Sequence, residues 1–412
     1  MNISVRPTLN ELMTSLNSKS WPERWNEIYD SVMDDYEANG SKLLDPSYYD
    51  EIAKKYNILD EFLEDYKRVA ADVAKDDALS RLLVLMAASM RDRKNIKSDI
   101  NNLDLPKSSD GSYVEKYAML PALVMCETVD YTYSLIKDRN LPEEHFTYAM
   151  RRCDGTGMIR SYQLRNDGRL GAMNWAWFQL GVDAKLFKMG RLVIELGRKF
   201  TSKATVFENK EGDTVMLAHG KAFHRDGYVL GTKNYEDSEG SFEATLEERE
   251  DAWIGFKYDD RGLVKNERVS LSKSEWKVLI APEDPVISLH IPTGGRMESG
   301  IIDESFAEAR AFLEKYFPEL EYKAFICTSW LLDPQLGDLL GESSNIVNFG
   351  KRFKRASHKS DGKSVFSFVF LMSDVNNVDI SALSENTSLQ RALKRHYADG
   401  KRIYDTFGYI AK

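Results

Sequence analysis

Between Val286 and Asn348 the chain reads VISLHIPTGGRMESGIIDESFAEARAFLEKYFPELEYKAFICTSWLLDPQLGDLLGESSNIVN, and no other stretch limits its possible folds as much. The apolar run Val286–Ile291 has the length of a strand and enters a turn built on Pro292, Gly294 and Gly295. The spacing predicts a helix from Asp303 to about Tyr316, ended by Pro318, and a second strand over Lys323–Ser329. Two strands joined through a helix are expected to be parallel, with a right-handed crossover. In such units ligands bind beyond the carboxyl ends of the strands, beside the loop that opens the helix. A place for chemistry is therefore indicated before the chemistry itself.

The chain has 412 residues, too many for one ordinary core, which implies two or three domains. Apolar residues at 42% and charged residues at 29% describe a folded, soluble protein. The formal charge of −9 speaks against nucleic acid as a partner, since its binders carry a basic face. The short basic cluster Lys351, Arg352, Lys354 and Arg355 reads as a solvated strand or loop edge, with a phosphate contact as the alternative. Cys126, Cys153 and Cys327 are odd in number and far apart, which fits a reducing compartment. They form no CxxC pair or Cys/His cluster, so no metal is expected. The N-terminal MNISVRPTLNELM lacks the apolar segment of a signal peptide, and no window approaches 18 consecutive apolar residues. The expectation is a cytoplasmic protein with no membrane partner. GxSxG, GxxxxGK[ST], HExxH and GxGxxG are all absent.

Residues 9–150 read as helices. Trp21, Trp25, Ile28 and Val32 share a helical face, with Pro22 in a first turn; Leu79–Met86 and Leu120–Lys137 are further helical runs. Pro106–Ser112 is a loop. Turn residues such as Asp154, Gly155, Asn166 and Gly168 mark a mixed stretch, followed by an aromatic segment with Trp175, Trp177 and Phe178. From Leu186 short apolar runs bounded by Gly, Asp and Asn predict antiparallel strands, the first being Leu186–Leu196. The tail adds a strand over Ser364–Leu371, a basic helix over Leu389–Ala398 and an aromatic end, Tyr404, Phe407 and Tyr409, that docks. The expected fold class is α+β: an all-helical domain over residues 1–160, then a mixed-sheet domain over 161–412.

The phrases ISLHIPTGG, SFAEARAFLEKYFPE, CTSWLLDPQL and SNIVNFGKRF, with LFKMGRLVIELGR and LSKSEWKVLIAPEDPVI upstream, occur in one order over most of residues 186–370. Together they resemble a family of bacterial acyltransferases with a helical N-terminal domain and a GNAT-like C-terminal domain. The resemblance implies transfer of an acyl group from acetyl-CoA or another acyl-CoA to a small-molecule amine acceptor. It does not extend to the Q/R-x-x-G-x-G/A loop by which GNAT enzymes hold the CoA pyrophosphate; Thr293, Gly294, Gly295 and Arg296 stand there instead.

Under this resemblance the CoA arm would thread between the strands at 286–291 and 323–329, lined by Ser288. Its pyrophosphate would lie on the main-chain N–H groups of Gly294 and Gly295, with Arg296 as a fixed charge. Against this, a tight turn alone would explain the glycines, and Asp303 and Glu304 at the expected helix start would repel an anion. His290, at the end of its strand on the face of Val286 and Ser288, could take a proton from the amine or simply hold the loop. Cys327 and Ser329 share a face: the first is a candidate nucleophile or a small core residue, the second a candidate proton donor to the leaving thiolate. Glu195 could be a base acting through water, or could pair with Arg191 on one strand. Asp333 and Pro334 read as the start of a short helix, and Asn345 and Asn348 as turn residues. The leading expectation is an acyl-CoA-dependent N-acyltransferase; the alternatives are a non-catalytic binding or scaffold protein on a degenerate GNAT-like fold, and a thiol enzyme built on Cys327 and His290.

Overall fold

The computed structural model describes residues 6–153, 156–172, 175–292 and 294–412; the side chains of 60, 151–153, 156, 175, 176 and 178 are not described. Thr293 of the glycine loop, the turn residues Asp154 and Gly155, and the side chains of Cys153, Trp175 and Phe178 thus lie outside the described residues. The chain divides into two compact units, Met1–Phe187 and Lys188–Lys412.

The first unit is helical. At its centre Asp77–Arg91 is buried along nearly its whole length, capped by the Asp76 carboxylate, which accepts from the Leu79 N–H at 3.2 Å. Trp25 is fully buried and donates its indole N–H to Ser89 at 2.8 Å. The helix of Trp25 starts at that residue, and its buried stripe is Trp25, Tyr29 and Met33. The expected face was therefore one residue out of step, and Pro22 precedes the helix. Leu120–Lys137 is not one helix: a 3-10 turn, Cys126–Thr128, separates Leu120–Met125 from Val129–Asp138.

From Leu186 the chain is built on strands. They begin with β1 (Leu186–Met189), β2 (Leu192–Lys199), β3 (Ala204–Glu208), β4 (Thr214–Ala218) and β5 (Lys221–Phe223). There follow β6 (Phe242–Ala244), β7 (Glu247–Glu248), β8 (Ala252–Tyr258), β9 (Val264–Ser272) and β10 (Lys277–Ile280). The last four are β11 (Pro285–His290), β12 (Ala324–Ser329), β13 (Lys354–Ser357) and β14 (Thr406–Ala411). One sheet has the order β1-β2-β11-β12-β14-β13 and is mixed, because β11 and β12 run parallel while β2, β14 and β13 pair antiparallel to their neighbours. The helix Ser299–Tyr316 makes the β11–β12 crossover, as the βαβ reading required. A second sheet runs β10-β3-β4-β8-β7, with β9 on β8. A core between the two sheets includes Phe200, Val206, Phe223, Tyr258, Val286, Ile326, Phe407 and Tyr409. On the other face of the first sheet Phe306 of the crossover helix meets Phe325 edge to face, centroids 5.6 Å apart. The fold is therefore α+β, helical first and mixed-sheet second.

Several expectations fail, for definite reasons. Leu186–Leu196 is not one strand but the β1–β2 hairpin, turned at Gly190 (φ +52°) and Arg191. Ser364–Phe368 is a helix, not part of a strand; its apolar run packs in a core with Trp330, Leu393 and Tyr397, and a buried helix has no polar alternation to distinguish it. The aromatic tail does not dock on a finished fold: β14 lies inside the sheet, between β12 and β13. Asn345 and Asn348 lie in the helix Asn345–Gly350, not in a turn.

Candidate functional site

The β11–β12 ladder contains only two pairs, Ile287↔Phe325 and Ser288↔Ile326. Beyond them each strand follows its outer neighbour. Leu289 and His290 pair with Ile194 and Val193 of β2, while Cys327, Thr328 and Ser329 pair with Gly408, Phe407 and Thr406 of β14. Past Ser288 and Ile326 the two strands no longer pair with each other, so the β12-facing edge of β11 has no ladder partner at its carboxyl end.

A bulge in β2 sets what faces this opening. The β11–β2 register shifts between Val286, opposite Arg198, and Ser288, opposite Glu195, so Leu196 and Gly197 together stand against Ile287. Gly197 has φ +75°, the left-handed conformation such a bulge uses. After the bulge Glu195 lies directly across from Ser288 and diagonal to His290, on one face of the sheet. Glu195 is 3% exposed, and its Oε2 lies 2.8 Å from His290 Nε2. Its Oε1 is 3.5 Å from Arg198 Nε. Ser288 is buried and His290 is partly exposed. Two candidate residues 95 positions apart thus form one carboxylate–imidazole pair at the mouth of the splay.

Arg191 is not Glu195's partner. It sits in the β1–β2 turn, where its N–H donates to the Ser305 hydroxyl at 2.8 Å. Its Nε is buried with no hydrogen-bond partner among the described residues, and burial pushes the guanidinium below its ordinary value. Gly294 and Gly295, at φ +79° and +77°, bring the loop against it; a Cβ on Gly295 would stand 3.1 Å from Arg191 Nε. Arg296 is exposed and pairs with Glu298 at 3.2 Å. The helix starts at Ser299, four residues before the expected point, because Glu298-Ser299-Gly300 reads locally as loop. Asp303 and Glu304 therefore do not cap it. The cap residue Glu298 makes no side-chain cap bond, the first turn carries no acid, and Asp303 pairs with Arg352. The basic cluster thus has one member tied to this helix.

Cys327 is not brought to His290. The registered pairs Ile287↔Phe325 and Ser288↔Ile326 share faces, so alternation puts Cys327 on the helix side, and Thr328 on the side of His290. Cys327 is buried, and burial, with the Asp405 charge, pushes its thiol up to about 12. That is the opposite of an activated nucleophile. The Ser329 hydroxyl accepts from the Leu331 N–H at 3.2 Å and caps the 3-10 turn Trp330–Leu332, a structural task. Sequence reasoning missed Arg191 as a charge beside the glycine loop, since it lies in no recognisable motif. Among the described residues no group of His, Cys, Asp and Glu is placed to hold a metal ion, and no helix is long and apolar enough to cross a membrane.

A family model described as the GNAT-like C-terminal domain matches residues 186–410. Solved structures share the fold across both units. One, of an acyltransferase in complex with decanoyl-CoA and teicoplanin, is 18% identical with a TM-score of 0.60, covering 98% of each chain. Another, of an acyltransferase with CoA and 10C-teicoplanin, is 18% identical with a TM-score of 0.61 over 98% of each chain. A third, of a mutant acyltransferase in complex with octanoyl-CoA, is 18% identical with a TM-score of 0.59, over 98% of this chain and 99% of the other. No curated protein matches the sequence.

Proposed function

We propose, from the premise that the chain belongs to the family of the GNAT-like C-terminal domain, that it transfers an acyl group from an acyl-CoA to an amine of a small molecule. The observation that carries this reading is the parting of β11 and β12 after Ser288 and Ile326, with the Glu195–His290 pair at its edge. A pantetheine arm is an extended chain of amides, and main-chain groups along a splayed strand edge are suited to it. The pyrophosphate would lie by Gly294, Gly295 and Arg296, with Arg191 as a second charge; one glycine-rich turn with two arginines would replace the usual loop.

In the reaction the amine nitrogen attacks the thioester carbonyl. The C–N bond forms and the C–S bond breaks, the sulfur leaving with the electron pair as CoA thiolate. His290, held by the Glu195 carboxylate, takes the proton lost by nitrogen, and the thiolate gains a proton from solvent. N–H groups of the strand edge at Ser288–His290 would meet the charge developing on the carbonyl oxygen. Decanoyl-CoA and octanoyl-CoA in the similar structures favour a medium-length acyl chain over acetyl, and the teicoplanin and 10C-teicoplanin bound in two of them favour a glycopeptide-like amine as acceptor. A cytoplasmic setting is consistent with use of acyl-CoA.

The test is thermal. Acyl-CoA at about 100 times its dissociation constant stabilises the folded protein by about 2.7 kcal/mol. Decanoyl-CoA and acetyl-CoA are compared for the shift in Tm, then for release of free thiol when an amine such as teicoplanin is added. A Tm rise with amine-dependent thiol release supports the proposal. No shift with any CoA species refutes it and leaves the non-catalytic alternative standing.

A further inference from the structure

In a regular strand residues three apart point to opposite faces, so Glu195 and Arg198 would not meet. The β2 bulge brings them to one side. Arg198 stands opposite Val286 and Glu195 opposite Ser288, and Val286 and Ser288 share a face of β11. Arg198 Nε comes to 3.5 Å from Glu195 Oε1, while Glu195 Oε2 meets His290 Nε2 at 2.8 Å. Among the described residues Arg198 pairs with no other acid, and its neighbour Lys199 pairs with Glu283 at 3.0 Å. The Arg198 side chain is half exposed, that of His290 is 24% exposed and that of Glu195 only 5%. A buried carboxylate thus lies between a guanidinium reaching in from solvent and the imidazole at the mouth of the splay.

Which ring nitrogen of His290 can take a proton depends on the charge of its partner. An ionised carboxylate only accepts, so it draws the imidazole proton to Nε2 and leaves Nδ1 as the proton acceptor. A carboxylate buried without a cation favours its protonated form, or holds an imidazolium beside it. A protonated carboxyl would donate to Nε2 and put the ring proton on Nδ1, and an imidazolium carries a proton on each nitrogen. In either case Nδ1 is occupied and the ring is no base. A guanidinium keeps its proton in a protein, so Arg198 is a permanent cation beside this carboxylate.

We propose that Arg198 is a positioning residue: across the bulge it keeps Glu195 ionised, so that His290 holds its proton on Nε2 and presents Nδ1 to the acceptor amine. The proposal rests on the reading of His290 as the base of acyl transfer, and it names the atom that receives the proton. It also gives the bulge at Gly197 a chemical task, since without the extra residue Arg198 would fall on the other face of the sheet.

The full chain is labelled with nitrogen-15 histidine, and its imidazole nitrogens are read by long-range nitrogen–proton correlation above neutral pH, with no acyl-CoA present. The His290 signals are those missing from His290→Ala. The wild type is expected to show Nε2 protonated and Nδ1 bare. Arg198→Met is expected to protonate Nδ1. It should also lower kcat for amine-dependent thiol release about tenfold or more, with KM for acyl-CoA changed less than about twofold. Arg198→Lys, which keeps a cation, restores most of both. A merely structural role would lower Tm and leave the ring protons where they are. A wild type with its proton on Nδ1 overturns the proposal by itself, and so does Arg198→Met with Nδ1 still bare, whatever its rate. Arg198→Gln takes the place of Arg198→Met where that variant does not fold. Expected spectra without thiol release from any acyl-CoA would uphold the hold of Arg198 on the ring and overturn the acyl-transfer reading instead.

Discussion

A carboxylate left 3% exposed needs partners to be tolerated, and Glu195 has His290 at 2.8 Å and Arg198 at 3.5 Å. If the pair serves as the base of the reaction, removing either member removes one device. Glu195→Gln keeps an acceptor for the imidazole and deletes the charge, and His290→Ala deletes the base. Each is expected to lower the rate of thiol release by about 10²–10⁴-fold. The double variant should be little worse than the worse single one, as residues acting as a unit are. Steady-state kinetics with Tm measured in parallel checks this; a fall in Tm with an unchanged rate would make the pair structural. Cys327→Ala should leave the rate unchanged and cost about 1 kcal/mol of stability. The sequence showed His290 and Glu195 as separate candidates. It could not show them as a pair, because their meeting depends on a bulge in a strand whose partner lies far away in sequence.

At the scale of elements, the bulge and the tail each rest on one residue. Gly197 holds φ +75° with open space around its Cβ position, so Gly197→Ala meets no clash and only backbone strain, about 1–2 kcal/mol. Because the bulge sets Glu195 opposite Ser288, the same change should lower the rate more than the loss of Tm accounts for, read by comparing activity well below Tm. Asp333 fixes the chain just before β14: its carboxylate accepts from the Gln335 N–H at 2.9 Å and from the Tyr404 N–H at 2.6 Å. Burial pushes this carboxyl up to about 6, despite those bonds. The folded value exceeds the ordinary 3.8, so between the two the folded state holds the extra proton. This group's contribution is fully present below pH 4 and is lost as pH rises through about 6. Asp333→Asn should flatten that part of the stability–pH curve, while costing about 1–3 kcal/mol because an amide cannot accept both N–H groups with two oxygens. Denaturant melts between pH 4 and 7 measure both effects. The βαβ unit was legible because it is local, two strands and a helix in sequence order. β14 was not, since a central strand added last is specified by β12 and β13 and by nothing in its own flanks.

For the whole molecule, the division between Phe187 and Lys188 falls inside β1, which pairs with β2 at the edge of the first sheet. A fragment of residues 184–412 keeps that edge strand, and is expected to melt cooperatively. A fragment beginning at Lys188 exposes the edge of β2 and should melt lower and aggregate more readily, as calorimetry and light scattering would show.

Local periodicity and turn chemistry encode helices before strands, a parallel crossover at Val286–Ser329 with a glycine turn between its first strand and its helix, and the residue types able to move a proton. Where pairing stops is settled by tertiary packing alone. The length of the β11–β12 ladder, the bulge opposite Ile287 and the insertion of β14 follow from strands competing for the same hydrogen-bonding edges. That competition is settled by packing across distant segments, which no single stretch of sequence records.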